Sequence, residues 1–379
     1  MKPSSISAAG LQAAEPAMVE QIIRLLERES PSGDLAAVAR SAETVAAVGE
    51  QVLGARPERI EIDGCTHLLW RLGDQPRVLL LGHHDTVWPV GSLQAHPARA
   101  AGGILRGPGC FDMKTGIVMG FHASARARSR AGVAILITGD EETGSRTSRE
   151  LIEQCAEGCA AVLVLEAAAD GGALKTARKG VSSYEIIVHG RAAHSGLEPE
   201  KGINAAAELA HQILAVAELA DRSSGTTVVP TAASAGTTAN TVPASARFAV
   251  DVRAWTGAAQ KRVDDTIRVL QPQVPGARLE VRGGISRPPL PRAASSALFQ
   301  RAHRLAAELG IGPLAAAEVG GGSDGNFTAG LGVPTLDGLG AVGGGAHADR
   351  EHVLVAAITP RTALLAALID DLVPGGGHR

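Results

Sequence analysis

The chain has 379 residues, which is long for one hydrophobic core and predicts about two domains. Apolar residues make up 45% of the sequence, as in a soluble globular protein, and the net charge of −3 provides no basic surface for nucleic acid. No stretch approaches the roughly 20 apolar residues of a membrane span and the start lacks the basic head and apolar run of a secretory signal, so we expect a cytoplasmic protein with neither a nucleic-acid nor a membrane partner.

The first half of the chain alternates between amphipathic segments and short apolar runs. Helices are expected at residues 36–53, with Asp34 as the N-cap, and at residues 114–128 and 145–155. Buried strands are expected at residues 77–81, 133–138 and 161–165. This alternation indicates an α/β domain with a mostly parallel sheet and helices on both faces.

The middle of the chain changes its pattern near residue 180. Strands at 182–188, 226–229, 246–253 and 277–281 and helices at 202–219 and 260–270 follow the order β-α-β-β-α-β, which is typical of a ferredoxin-like unit with one sheet covered by two helices. A Pro-rich segment at 287–291 marks its end, and a helix at 296–309 and a final α/β stretch follow. We therefore predict an inserted domain at 180–287 between two parts of a larger domain, 1–179 and 288–379. Residues from 374 onward are expected to form a frayed tail.

Carboxylates and a histidine follow the apolar strands of the first half, at the point where each strand ends. They are His83 and Asp85, then Glu141 and Glu142, then Glu166. In open α/β sheets, the carboxyl ends of the strands form the edge at which ligands bind. Two further candidates lie in Gly-rich segments: Asp112 follows a Gly-Pro-Gly turn and His347 lies in a glycine loop.

Such a cluster of carboxylates is repulsive, and burying it without a counter-charge is costly. Divalent cations remove that cost, and mixed His and carboxylate ligands suit zinc, with manganese or cobalt as alternatives. Two metals about 3.5–4 Å apart can activate water and polarise a carbonyl. The four cysteines complete no zinc-ribbon spacing and are expected to be reduced thiols. Taken alone, each acidic motif is more often a structural turn or a solvated loop than a metal site. Their combination points to a two-metal centre.

Several segments together resemble the zinc peptidases related to aminoacylase-1 and to bacterial glutamate carboxypeptidase. They are Gly-His-His-Asp-Thr-Val at 82–87, Gly-Pro-Gly-Cys-Phe-Asp-Met-Lys at 107–114, Asp-Glu-Glu-Thr-Gly-Ser at 140–145, Gly-Arg-Ala-Ala-His-Ser-Gly at 190–196, and the closing His347. The resemblance runs from about residue 53 to the C-terminal helix. The stretches at 240–253 and 320–324 are most similar to the glutamate carboxypeptidase branch.

The resemblance implies two Zn²⁺ per subunit and a role for each candidate. One zinc would be bound by His83 and Glu166, the other by Glu142 and His347, with Asp112 bridging them. Asp85 would hold His83 in one tautomer, Glu141 would be the general base, and the Asp112–Met113 peptide bond would be cis.

The inserted domain would act as a lid and as the contact of a homodimer. His194 would stabilise the oxyanion in the active site of the partner subunit. The expected substrate contacts are Asn240, Arg253, Arg287, Gly321 and Gly322. Either arginine could grip a substrate carboxylate or form a surface ion pair, and the glycines could offer N–H groups or form only a flexible loop.

The expected function is that of a metallocarboxypeptidase or amidase, which releases a C-terminal amino acid, with glutamate as the first candidate, from a small N-acyl or peptide conjugate. An aminoacylase or dipeptidase of the same family is the nearest alternative. A non-catalytic metal-binding dimer is expected to lack the general base, and Glu141 is present. A two-metal phosphoesterase would need a basic phosphate cradle, which the sequence does not indicate.

Overall fold

The computed structural model describes residues 11–373, and the chain divides into two compact units. Within the described range, the first unit comprises residues 11–177, 292–319 and 323–373, and the second comprises residues 178–291 and 320–322. The inserted domain was predicted at 180–287, without the 320–322 segment. The predicted tail from residue 374 lies outside the described residues.

The helices and strands run as follows along the chain. The helices are α1 (Glu15–Leu26), α2 (Leu35–Leu53), α3 (Thr115–Arg126), α4 (Arg149–Ala156), α5 (Ala205–Ala217), α6 (Gly257–Arg268), α7 (Arg292–Glu308), α8 (Gly325–Gly330) and α9 (Val355–Leu372). The strands are β1 (Glu58–Ile62), β2 (Cys65–Arg71), β3 (Val78–His83), β4 (Arg99–Ala101), β5 (Ile104–Arg106), β6 (Val133–Thr138), β7 (Ala161–Val164), β8 (Leu174–Arg178), β9 (Gly180–His189), β10 (Ala193–His194), β11 (Thr227–Ala235), β12 (Thr241–Val242), β13 (Ser245–Ala254), β14 (Arg278–Arg287), β15 (Ala316–Val319), β16 (Thr335–Leu336), β17 (Gly343–Gly344) and β18 (His352–Leu354). Within residues 11–373, none of these helices combines the length and apolar character that crossing a bilayer requires.

The first unit is built on a sheet with the strand order β1-β2-β6-β3-β7-β16. Strands β6, β3, β7 and β16 are parallel, and β2 joins them antiparallel to β6. In β3, Val78 and Leu80 enter a core shared with α2, α3 and α9, whereas Leu79 and Leu81 enter a second core shared with α4. Because both faces are covered, the strand is apolar at successive positions, and the predicted α/β class is confirmed.

The starts of α2 and α4 follow from hydrogen bonds of two aspartate side chains. Helix α2 begins after Asp34, whose side chain accepts a hydrogen bond from the Ala37 N–H at 2.9 Å, as predicted. The prediction of a helix from residue 145 was wrong at its start, since α4 begins at Arg149. Ser145 has a φ of 55°, and the Asp140 side chain binds the Thr147 N–H, so this segment winds as a turn before the helix.

The second unit has the predicted β-α-β-β-α-β order, with the main strands arranged β11-β13-β9-β14, all antiparallel. Alternate residues of β9 (Tyr184, Ile186 and Val188) are buried in the core of this unit together with residues of α5 and α6. Strands β11 and β14 extend further than predicted, because their outer halves lack the apolar alternation that marks a half-buried strand.

Candidate metal centre

Three neighbouring parallel strands deliver the predicted side chains to one edge of the sheet. Strand β3 ends at His83, which pairs in register with Thr138, the last residue of β6. The turn after β6 carries Glu141 and Glu142, and Glu166 follows β7, the neighbour of β3 on its other side. These residues therefore lie together at the carboxyl ends of β3, β6 and β7, where the sequence predicts them.

The two carboxylate oxygens of Asp112 face two different imidazoles. Oδ1 lies 3.3 Å from Nε2 of His83, and Oδ2 lies 3.2 Å from Nε2 of His347. Each imidazole also faces a second carboxylate: His83 Nε2 is 3.5 Å from Glu166 Oε1, and His347 Nε2 is 3.1 Å from Glu142 Oε1. The five side chains thus form two sets of three, with Asp112 common to both.

The donor set fits divalent cations. His83 Nε2 and Asp112 Oδ1 are buried and have no hydrogen-bond partner. The carboxylates of Asp112 and Glu142, which accept hydrogen bonds from the His347 imidazole, raise its pKa to about 10. Burial lowers the pKa of His83, but the carboxylates of Asp112, Asp85 and Glu166 outweigh it and raise that pKa well above its usual range. The carboxylates that favour protonation of these imidazoles create a negative electrostatic potential, which would favour a bound cation in the same way. Metal binding would displace the protons from the imidazoles.

Asp85 contacts several segments of this centre through one carboxylate. It is fully buried, and its Oδ1 lies 3.3 Å from His83 Nδ1. The same carboxylate accepts hydrogen bonds from the backbone N–H groups of Glu141 at 3.2 Å and Glu142 at 3.1 Å, and from Ser32 Oγ at 2.6 Å. His83 Nδ1 also lies 3.1 Å from the backbone carbonyl of Asp85, so both acceptors of this residue favour a proton on Nδ1, which leaves Nε2 to face the centre.

The turn that bears Asp112 has a backbone conformation that requires glycine. Gly109 has a φ of 74°, and a Cβ there would lie 2.5 Å from the Thr86 side chain. The Asp112–Met113 peptide bond is cis, as the resemblance implies. His347 itself has a φ of 61° in its glycine loop.

A second group of ligand-type residues, Cys65, His67 and Asp140, is closed by hydrogen bonds. Thr147 Oγ1 donates to Asp140 at 2.8 Å, so it must accept from His67 Nε2 at 3.1 Å. His67 Nδ1 accepts from the Gly139 N–H at 3.2 Å, which uses its remaining lone pair. This group therefore supports the turn after β6 and does not offer a metal site.

Two supporting residues were missed by the sequence analysis. Ser32 binds Asp85, and Glu351, a buried carboxylate, accepts a hydrogen bond from the Asp112 N–H at 3.1 Å. Glu351 lies four positions after His347, but no local sequence pattern marks it as a partner of the Asp112 turn.

The remaining predicted residues lie in the second unit. His194 is exposed, and its neighbour Ser195 donates a backbone hydrogen bond to the Asn240 carbonyl at 3.0 Å, so His194 and Asn240 lie on adjoining segments. Arg253 and Arg287 both pair in register with Val181, one on each side, so the two arginines share a row across the sheet.

Their side chains differ in environment. Arg287 is buried, whereas Arg253 is half-buried and binds Asp251 through two contacts of 2.8 Å, an arrangement that favours the ion-pair alternative for this residue. The carbonyls of Gly321 and Gly322 accept hydrogen bonds from Arg178 at 3.1 and 3.2 Å.

Comparisons with known proteins agree with this architecture. The model of the peptidase family M20/M25/M40 matches residues 79–371. Carboxypeptidase G2 of Pseudomonas sp. (strain RS-16) is 30% identical over 95% of this chain and 90% of its own length. Among solved structures, a tripeptidase from Staphylococcus aureus has a TM-score of 0.72 at 18% identity, covering 94% of this chain and 98% of its own. An M20 family metallo-carboxypeptidase from Sulfolobus solfataricus has a TM-score of 0.70 at 15% identity, covering 93% and 98%.

Proposed function

This chain belongs to peptidase family M20/M25/M40, and on that premise we propose that it is a two-zinc carboxypeptidase releasing a C-terminal amino acid, with glutamate as the first candidate, from an N-acyl or peptide conjugate. Membership makes the chain a hydrolase of amide bonds in a family that binds divalent metal. The two zinc ions, the residue roles and the substrate are the parts that we add.

The placement of Asp112 carries the proposal. A single carboxylate whose two oxygens lie 3.3 and 3.2 Å from two different imidazoles is suited to bridging two cations. His83 and Glu166 would complete one ligand set, and Glu142 and His347 the other. When bound, two divalent cations supply a Lewis acid for the amide carbonyl and make water more acidic.

Glu141 would act as the general base. Asp85 accepts hydrogen bonds from the backbone N–H groups of both Glu141 and Glu142, and on these adjacent residues the roles of base and metal ligand would be divided. The Glu141 carboxylate would take a proton from the attacking water and deliver it to the nitrogen of the leaving amine. Asp85 would keep His83 in the tautomer that presents Nε2.

The second unit would supply the substrate contacts. His194, with Asn240 beside it, would stabilise the oxyanion in the active site of a partner subunit. Arg253, whose guanidinium binds Asp251, and the buried Arg287 would be the two candidates for gripping a substrate carboxylate. The N–H groups of the glycine segment at 320–322 would contact the substrate, and this unit would act as the lid.

A cytoplasmic homodimer completes the proposal. All four cysteines of the chain are unpaired, which supports a reducing compartment. Light scattering at micromolar concentration should give the mass of a dimer. A monomer would remove the basis for His194 acting in the partner's site.

The test is amino-acid release by the zinc-loaded protein from N-acyl-Glu, N-acyl-Asp, N-acyl-Phe, folate and a dipeptide, each with and without a chelator. We expect chelator-sensitive release of glutamate, and the matched variant Glu141→Gln should bind the same amount of zinc while losing turnover. Release of a different amino acid would move the specificity to an aminoacylase or dipeptidase. Zinc-loaded protein that releases no amino acid would refute the proposed activity.

A further inference from the structure

Glu351 is a buried carboxylate that accepts four N–H hydrogen bonds. Its side chain lies inside the first unit, and the residue is 3% exposed. Oε1 accepts from the backbone N–H groups of Phe111 at 2.8 Å and Asp112 at 3.1 Å. Oε2 accepts from the Gly109 N–H at 3.0 Å and from the Trp88 indole at 2.8 Å. Three of the four donors thus belong to the turn that carries Asp112.

The arrangement requires an acceptor at both oxygens. A carboxylate accepts at either atom, whereas the amide of glutamine has one acceptor and one NH₂ donor. In either orientation, glutamine at residue 351 would direct its NH₂ group at two N–H donors. A neutral side chain of the same shape therefore cannot hold this turn in the same way.

The same residue is tied to the loop that carries His347. The Ala348 N–H donates to the Gly345 carbonyl at 3.0 Å, and the Glu351 N–H donates to the Ala348 carbonyl at 2.8 Å. These two successive turns run from the glycine loop to Glu351 and enclose His347. The His347 side chain is 47% exposed, so its direction depends largely on this backbone.

Both segments leave the same end of one strand pair. Strand β5 ends at Arg106 and leads into the Asp112 turn, while β18 begins at His352, directly after Glu351. The two strands are antiparallel neighbours, with Leu105 opposite Val353. Glu351 therefore joins the outgoing turn of one strand to the incoming loop of the other.

We propose that Glu351 is a positioning residue which, through its four hydrogen bonds, sets Asp112 and His347 at the separation that both metals require. The inference rests on the proposed two-metal centre and assigns to it a residue that touches no metal. Substitution of a residue that hydrogen-bonds to a metal ligand commonly lowers metal affinity about 10–100-fold.

The test compares the full-length wild type with Glu351→Gln, Trp88→Phe and Asp349→Asn. Each protein is stripped of metal, and its affinity for Zn²⁺ is measured by competition with a chromophoric chelator. The melting temperature of the metal-free form and the visible spectrum of the Co²⁺ form are recorded alongside. We expect Glu351→Gln to bind zinc at least tenfold more weakly with an altered cobalt spectrum, and Trp88→Phe, which removes one donor of four, to bind about fivefold more weakly.

The control is Asp349→Asn in the same loop, whose carboxylate is 89% exposed and should leave zinc affinity unchanged. A purely structural role for Glu351 would lower the melting temperature and leave affinity and spectrum at wild-type values, which would overturn the proposal. Were Glu351→Gln not to fold, wild-type zinc affinity in Trp88→Phe would overturn it as well. If the wild-type chain bound no zinc, the two-metal centre itself would be refuted. If the wild type and Glu351→Gln bound zinc equally well, only the role of Glu351 would be refuted.

Discussion

Replacing Asp85 by asparagine tests how the histidine side of the centre is supported. The carboxylate has a partner at each oxygen from the turn after β6: Glu141 N–H at Oδ1 and Glu142 N–H at Oδ2. His83 Nδ1 also faces Oδ1, and Ser32 donates to Oδ2. In either orientation, the asparagine NH₂ would meet one of the two backbone donors, and that N–H would lose its acceptor.

The magnitude follows from these contacts. A buried donor left without a partner costs about 1–3 kcal/mol. The more favourable orientation directs the NH₂ toward Ser32, whose hydroxyl can turn to accept, so a single backbone donor is lost. We expect Asp85→Asn to lower the free energy of unfolding of the metal-free protein by about 2 kcal/mol. Because the charge beside His83 also disappears, zinc affinity should fall about 10–100-fold.

The matched variant is Ser32→Ala, which removes one donor and leaves Asp85 Oδ2 with its bond from Glu142. It should cost about 1 kcal/mol of stability and leave zinc affinity close to wild type. Urea unfolding of the metal-free proteins and zinc competition measure the two quantities separately. Equal zinc affinities for Asp85→Asn and Ser32→Ala would refute the reasoning, since the charge on Asp85 would then have no influence on the centre.

Three further changes test other parts of the structure. His347→Ala should lose zinc and turnover together with little change in urea stability, because the side chain is half-exposed; unchanged zinc by elemental analysis would exclude it as a ligand. Burial lowers the pKa of His122 to about 4. On acidification, His122 is therefore protonated near pH 6.5 in the unfolded chain and only at lower pH in the native chain, so the free energy of unfolding decreases as pH falls. We expect about 2 kcal/mol less stability at pH 5 than at pH 7 from this residue, and a smaller difference in His122→Gln by urea unfolding. Gly116→Ala would place a Cβ 2.1 Å from the Leu165 carbonyl and should destabilise the protein by about 2 kcal/mol or more, whereas a Cβ at Gly33 meets nothing within 4 Å, so Gly33→Ala should be nearly neutral in the same urea assay.

The proposed ligands that follow strands could be located from the sequence because the signal is local. An apolar run marks each strand, so the residues after it, such as His83 and Glu166, are placed once the sheet is recognised as parallel. Asp112 and His347 lie in glycine turns without periodicity, and His347 adopts a φ of 61°. Their assignment depended on the family resemblance. The start of α4 was misplaced because the hydrogen bond from Thr147 to Asp140 competes with helix formation there.

The supporting residues could not be located because their partners are distant in the chain. Ser32 binds a carboxylate 53 positions away, and Glu351 binds the N–H of a residue 239 positions away. No local pattern distinguishes such a serine or glutamate from a surface residue. Only the folded arrangement brings them to the centre, and burial then reveals the need for each hydrogen bond.

The buried carboxylates of Asp85 and Glu351 each support a different part of the centre, and they have no hydrogen-bond donor in common. Asp85 joins the end of β3 to the turn after β6, which orients His83 and Glu142. Glu351 joins the turn after β5 to the loop before β18, which carry Asp112 and His347. Carboxylates that gather without metal repel one another, so backbone hydrogen bonds are what can keep such ligands together before a cation arrives. On the proposed roles, affinity for metal depends on residues that never touch it, and it should be lost separately for each half of the centre.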